Sequence, residues 1–257
     1  MCSSLTVRLE HYLAQKIIMK NYALVTGSAD RIGKAVAVHL ANQDYNLVLH
    51  YNSSKEKVQK LKDEIESIYT DIKVELLQIN FLKENDFDQI FTDLKKKKII
   101  IEILVNCASD FIPSNFEDEG SELYDKEMTI NFKIPYLLTK AFAKVYGKGN
   151  IINFVDTKVE KNKTVHLDYI LSKKLLKDFT KISAVELAPN IRVNGIGPGL
   201  ILPPPGKDES YLLDLAKNIP LKTIGNLEEI LKAVQFILDS QFFTGQILYI
   251  DGGEHLV

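Results

Sequence analysis

Cysteine is scarce: Cys2 and Cys107 are the only two in 257 residues. Two thiols cannot build a disulfide framework, so a reducing cytoplasm is the expected setting. The five histidines are scattered and no pair of Cys or His residues has metal-ligand spacing, so no metal is expected. Neither sign of charge dominates, with 32 basic against 34 acidic residues and a net charge of −2. No global basic field therefore exists to hold nucleic acid or anionic lipid. Long apolar runs are missing too; all fall short of the ~18 residues that a membrane helix requires. There is no internal repeat, no low-complexity linker and no break in composition. In the first twenty residues Arg8, Glu10, His11 and Lys16 interrupt any secretory apolar core. Leu5, Leu9, Tyr12, Leu13 and Ile17 share a helical stripe there, which fits either a short amphipathic arm or a dispensable extension. Residues 1–20 are thus expected to be an N-terminal extension, and 21–257 one domain.

What remains is ordinary globular material, 46% hydrophobic and 26% charged, enough for a substantial core. Short apolar runs at Tyr22–Thr26, Asn46–Tyr51, Val74–Ile79, Ile99–Val105, Asn150–Val155, Ile191–Gly195 and Gln246–Ile250 read as strands. Helical spacing occupies Lys34–Leu40, Ser53–Tyr69 behind a serine cap, Glu84–Lys97, Ser121–Tyr146 and a segment through Tyr169 to about Leu187, where Pro189 stops it. Asn226 opens a further helix with Glu229 as its capping-box partner. Continuous apolar strands alternating with helices predict an α/β fold: a single-domain, Rossmann-like, doubly wound parallel sheet with helices on both faces. The least regular stretch, Gly199–Gly225 with Pro203-Pro204-Pro205, would lie beyond a strand's C-terminal edge, where such sheets bind ligands.

Chemistry concentrates at I-I-N-F-V-D, ending in Asp156, followed thirteen residues later by Tyr169 and four after that by Lys173. On a helix Tyr169 and Lys173 share a face, their Cβ atoms about 5–6 Å apart. An ammonium within about 4–6 Å lowers a phenol's pKa and prepares it as a general acid near neutrality. Alone, Y-x-x-x-K equally describes an exposed face of solvated lysines. The turn T-G-S-A-D-R-I-G, Thr26–Gly33, follows the first strand: Gly27 permits the turn, Gly33 allows close helix packing, and N–H groups at the helix start face a pyrophosphate. Arg31 in this loop is suited to a cofactor phosphate or to substrate, or is a surface arginine. After the second strand, Asn52-Ser53-Ser54-Lys55 offers hydroxyls and an ammonium but no carboxylate, which favours a 2′-phosphate and hence NADP over NAD.

Together these motifs resemble the short-chain dehydrogenase/reductase family over nearly the whole chain from about Asn21. The resemblance rests on T-G-x-x-x-x-x-G, N-x-A at Asn106–Ala108, Asn131, Tyr169–Lys173, R-V-N-G-I-G-P-G at Arg192–Gly199 and D-G-G at Asp251–Gly253. Within it, Arg31 in the glycine loop, Asp156 in place of the family's serine, and Ser109-Asp110-Phe111 resemble the pteridine reductase branch. Ser53 where an arginine is frequent, Asn80 for an adenine-side aspartate, and Cys107 for the second asparagine of N-N-A depart from that pattern. The resemblance implies a homotetramer that reduces a pterin-like small molecule with NADPH. It implies catalytic roles for Asp156, Tyr169, Lys173 and Asn131. NADPH would meet Gly27, Arg31, Ile32, Gly33, Tyr51, Asn52, Ser53, Ser54, Asn80, Asn106, Ala108, Ser109, Tyr169, Lys173, Pro198 and Gly199. Substrate would meet Arg31, Ser109, Phe111, Asp156, Tyr169 and Leu200. His166 and Asp168 read as loop polarity and Cys107 as a small buried residue. A carbonyl reductase of the same fold, or a cofactor-binding regulator without turnover, are the competing expectations.

Overall fold

The computed structural model describes residues 20–84, 86–118, 120–162 and 165–257. The amphipathic stripe read between Leu5 and Ile17, Cys2, and the domain start placed near Met19 lie outside the described residues. The seven strands are β1 (Tyr22–Val25), β2 (Asn46–Tyr51), β3 (Val74–Gln78), β4 (Ile101–Asn106), β5 (Gly149–Phe154), β6 (Ile191–Pro198) and β7 (Ile247–Ile250). They form one sheet in the order β3-β2-β1-β4-β5-β6-β7, every pairing parallel. The order reverses between β1 and β4, so the loops leaving those strands diverge and open a crevice at the C-terminal edge.

The alternation of β1 shows why the sheet needs helices on both sides. Ala23 and Val25 face one core cluster and Tyr22 and Leu24 the other. The first core is closed by α1 (Arg31–Asn42), α2 (Lys55–Ile68) and a C-terminal helix at Leu227–Asp239 through Leu40, Leu61, Ile65, Val234 and Ile237. The second is closed by α3 (Phe87–Lys96) and a helix at Ile134–Tyr146, through Phe87, Phe91, Leu138 and Phe142. Each large side chain so buried contributes roughly 1.5–3 kcal/mol.

The long helix expected over Ser121–Tyr146 is three segments. They are α4 (Glu122–Met128), a π-helical turn at Thr129–Lys133 and α5 (Ile134–Tyr146). Its consequence is local, because the π turn holds Asn131, and such turns cluster at functional sites. The Tyr169 helix, α6, spans Leu167–Glu186. Gly199–Gly225 is less irregular than expected. It contains α7 (Glu209–Ala216), started by Asp208, whose side chain accepts from Ser210 N. The loop's two ends are joined where Gly225 N donates to Leu200 O at 3.0 Å. The last helix, α8, is Leu227–Asp239. Asn226 does cap it, accepting from Glu229 N at 3.2 Å, but the Glu229 carboxylate pairs with Lys232. The cap of α2 is Ser54 and makes no side-chain capping bond.

Candidate active site

The first turn is shaped by two glycines. Gly27 has φ +64°, and a Cβ there would lie 2.8 Å from Ala108 Cα. A Cβ on Gly33 would lie 2.3 Å from Gly27 O, so α1 presses directly on the loop. Thr26 Oγ1 accepts from Cys107 N and Ala108 N at 2.9 and 3.0 Å, tying this turn to the N-x-A segment. Asp30 caps α1 by accepting from Arg31 N at 2.8 Å and pairs with Lys57 at 2.6 Å. A helix start leaves several N–H groups without helical partners, here those of Ile32 and Gly33 beside the turn. Arg31 itself is left-handed, φ +53°, and its guanidinium donates to Pro203 O at 2.9 Å and Leu202 O at 3.4 Å. It thereby meets the segment that begins at Pro198, Gly199 and Leu200.

Sequence reasoning passed over His50. Gly27 N donates to His50 Nδ1 at 3.1 Å, so the ring proton sits on Nε2, which reaches Ile79 O at 3.2 Å. The ring stacks on Phe81 with centroids 4.0 Å apart. Burial pushes its pKa down to about 4, with the bond to Ile79 opposing. The signal was legible: a polar residue inside the apolar run N-L-V-L-H-Y must find partners or be costly. At the end of β2, Tyr51 is buried, Asn52 O accepts from Gln78 Nε2, and Ser53 and Ser54 are exposed. Asn80 turns inward on its own turn, its Oδ1 accepting from Leu82 N at 3.0 Å. Asn106 donates to Asn153 at 2.8 Å, and its Oδ1 is buried without a partner among the described residues.

Across the crevice, Tyr169 Oη donates to Asp156 Oδ2 at 2.7 Å. The same carboxylate caps the short turn Thr157–Glu160, its Oδ1 accepting from Lys158 N at 2.7 Å. One carboxylate thus both caps a turn and meets the Tyr169 phenol. The C-terminal segment braces that turn, because Thr157 Oγ1 donates to Asp251 Oδ2 at 2.6 Å. Lys173 is buried, and its Nζ donates to Phe154 O at 2.8 Å and stands 5.7 Å from the Tyr169 ring centroid. Burial brings its pKa down to about 8 against the pull of Asp156.

One expectation is overturned here. Lys173 does not bring the Tyr169 phenol down. The phenol is held well above its usual value, first by burial and then by the Asp156 carboxylate it donates to, with only Ser109 pulling the other way. An ammonium bonded elsewhere is outweighed by a carboxylate in direct contact, so the phenol stands protonated. Asn131 Oδ1 accepts from Ser109 Oγ and Asp110 N at 2.8 and 3.0 Å, and its amide donates to Asp110 O at 3.1 Å and to Glu127 Oε2. The Asn131 side chain is thus committed to the loop after β4.

Phe111 is 41% exposed and stands edge-on to Tyr169, ring centroids 4.7 Å apart. His166, read as loop polarity, is instead stacked on Phe111 at 3.9 Å and 12°. Lys158 Nζ lies 5.5 Å from the same ring. Asp168, also read as loop polarity, lies instead in the first turn of α6, its backbone N–H donating to Ser114 Oγ at 3.0 Å. Cys107 is only partly buried, yet its surroundings push its thiol up to about 12, which leaves it unreactive at neutral pH. Among the described residues no cluster of His, Cys, Asp or Glu has the arrangement of a metal site.

Comparison with known proteins gives a consistent neighbourhood. The model of the family described as Enoyl-(Acyl carrier protein) reductase matches residues 27–255. Dihydromonapterin reductase of Escherichia coli K12 is 30% identical over 243 residues, which cover 91% of this chain and 96% of that protein. The Citrobacter koseri protein of the same name is 29% identical over 238 residues, with the same coverage. Among solved structures, FolM alternative dihydrofolate reductase 1 from Brucella suis in complex with NADP superposes with a TM-score of 0.84 at 29% identity. That match covers 93% of this chain and 96% of the other.

Proposed function

This chain belongs to the short-chain dehydrogenase/reductase family, and from that premise we propose that it is an NADPH-dependent reductase of a pterin-type substrate: a dihydropterin such as dihydromonapterin, or dihydrofolate. The observation that carries this reading is the Asp156–Tyr169 contact of 2.7 Å. A carboxyl group both donates and accepts a proton, as a ring nitrogen requires, whereas a serine hydroxyl is a poor acid. The names of the dihydromonapterin reductases and of the NADP-bound Brucella protein support it.

The residues suit the cofactor. Gly27 leaves no room for a side chain against Ala108, the start of α1 presents N–H groups, and Ser53 and Ser54 are exposed at the end of β2 with no carboxylate beside them. Gly27, Arg31, Ile32 and Gly33 would hold the phosphates. Tyr51, Asn52, Ser53, Ser54 and Asn80 would hold the adenosine end. Asn106, Ala108, Ser109, Lys173, Pro198 and Gly199 would hold the nicotinamide end. Bound there, NADPH supplies the hydride. Tyr169, whose phenol burial and Asp156 keep protonated, would hold the matching proton; it would pass through Asp156 Oδ2 to a ring nitrogen, and solvent would return a proton to the phenol. Lys173, charged below about 8, would hold the ribose hydroxyls with the N–H groups that Phe154 O leaves over. His166 covers one face of the Phe111 ring, so a pterin would stack on the other, with Ser109, Arg31 and Leu200 at its edges.

We take residues 21–257 as the catalytic domain and 1–20 as an extension. Homotetramer formation is part of the proposal. Leu171, Leu175, Ile182 and Val185 form an exposed apolar stripe along α6. Beside it Phe179 packs on Tyr136 and Phe132. A patch of this kind on a helix marks an association surface. A cytoplasmic setting completes the reading; among the described residues no helix is long and apolar enough to cross a membrane.

The test is NADPH oxidation with dihydromonapterin, dihydrofolate, a 3-oxoacyl thioester and an enoyl thioester. Turnover with a dihydropterin or dihydrofolate at least tenfold above either thioester is expected. The reverse order would make the chain a carbonyl or enoyl reductase, and no turnover with any of them would favour a regulator.

A further inference from the structure

Glu127 is a carboxylate with no exposed surface, one helical turn before Asn131. Leaving a charged group there is costly unless its partners need a charge. Its Oε1 accepts from Ile112 N at 2.9 Å, and its Oε2 accepts from the Asn131 amide. Asn131 in turn holds Ser109 Oγ, Asp110 N and Asp110 O. Lys126, the residue before Glu127, pairs with Asp110 Oδ2 at 2.6 Å. The loop after β4 is therefore fastened at 109, 110 and 112. Phe111 is the one residue between the fastenings, and its ring is what the loop displays toward Tyr169.

We propose that Glu127 is a positioning residue: through Ile112 and Asn131 its carboxylate sets where Phe111 stands, and so how a planar heterocycle is seated beside Asp156 and Tyr169. This rests on the pterin reading above. The chemistry explains why a carboxylate is used. Both partners are N–H donors, and only an acceptor-only group serves the two at once. A glutamine of the same shape must turn its own NH₂ toward one of them, leaving a buried donor facing a donor. Burial holds the Glu127 carboxyl above the usual range, with Asp110 adding to the rise and the two N–H donors and Lys126 opposing it. The group is thus kept despite its electrostatic cost, as a group with a task would be.

The test is a double-mutant cycle on kcat/KM for dihydropterin, with NADPH Kd measured on the same samples. Glu127→Gln should lower kcat/KM about tenfold or more, since displacement of a seating group by even an ångström is costly, while NADPH Kd stays within about twofold. In a Phe111→Leu background the same change should cost less than about threefold, because the effect runs through that ring. Ile112→Pro removes the N–H from the loop side and leaves α4 untouched; it should reproduce the Glu127→Gln loss, and it decides the question if Glu127→Gln does not fold. Equal losses in the wild-type and Phe111→Leu backgrounds, or full activity in Ile112→Pro, would overturn the inference while leaving the pterin reading intact. A wild-type protein that ignores both dihydropterins and dihydrofolate would overturn that reading, and this inference with it.

Discussion

The two walls of the crevice are built by different means. On the β1–α1–β2 side the shape is backbone: a left-handed Gly27, a Gly33 with no space for a Cβ, and a helix start. A buried titratable support, His50, is kept neutral by its burial, its Nδ1 accepting from Gly27 N and its Nε2 reaching Ile79 O. On the β4–β5 side the shape is carried by ionisable side chains in contact: Asp156 on Tyr169, Glu127 on Asn131, Lys173 on Phe154 O. A wall made of backbone binds a cofactor the same way whatever the protonation state. A wall made of coupled acids and donors moves protons, and it is correspondingly sensitive to single atoms.

That contrast is broken most strongly at Tyr169. Tyr169→Phe deletes the donor to Asp156 and should cut turnover by ~10²–10⁴-fold, the range for a positioned acid. NADPH binding should survive, because the phenyl ring keeps its packing. Retention of more than about a tenth of wild-type kcat would remove Tyr169 from the proton path.

The opposite wall is probed by pH. His50 titrates at about 4 when folded, below its ordinary 6.5. Between those values the unfolded chain binds more protons than the folded one, so stability should be full above about 6.5 and fall as pH drops toward 4. The full loss is on the order of 3 kcal/mol. Urea unfolding across that window measures it, and His50→Gln should flatten the dependence while weakening NADPH binding. A wild-type stability independent of pH between 6.5 and 4 would show that His50 is not held neutral.

The smallest effect expected is cofactor choice. With Asn52-Ser53-Ser54 at the end of β2 and no carboxylate, kcat/KM should favour NADPH over NADH by about tenfold, a 2′-phosphate pairing of moderate strength. Equal values would mean that the hydroxyls of Ser53 and Ser54 do not meet that phosphate.

Legibility in the sequence follows the same division. The backbone wall is written in local pattern: the glycine turn, the strand N-L-V-L-H-Y and the parallel sheet with helices on both faces were all readable, because period and glycine placement are short-range information. Asp156, Tyr169 and Lys173 were legible as residue types at a spacing. Their couplings were not. Whether Lys173 or Asp156 governs the Tyr169 phenol depends on which oxygen lies at 2.7 Å, a three-dimensional fact. Glu127 was invisible because its partners, Ile112 and Asn131, belong to another loop and to a π turn that helical periodicity smooths over. α7 was missed because Pro203-Pro204-Pro205 masked the helical signal that resumes at Asp208.

In the proposed function Asp156 serves proton delivery to a pterin and not the binding of cofactor. Single-turnover hydride transfer to dihydropterin, with NADPH Kd from the same titration, tests it in Asp156→Ser and Asp156→Asn. A rate at least ~10²-fold lower is expected in both variants, with Kd unchanged within about twofold. Rates within about threefold of wild type, a difference below ~0.7 kcal/mol, would reduce Asp156 to the cap of a turn and contradict the assignment.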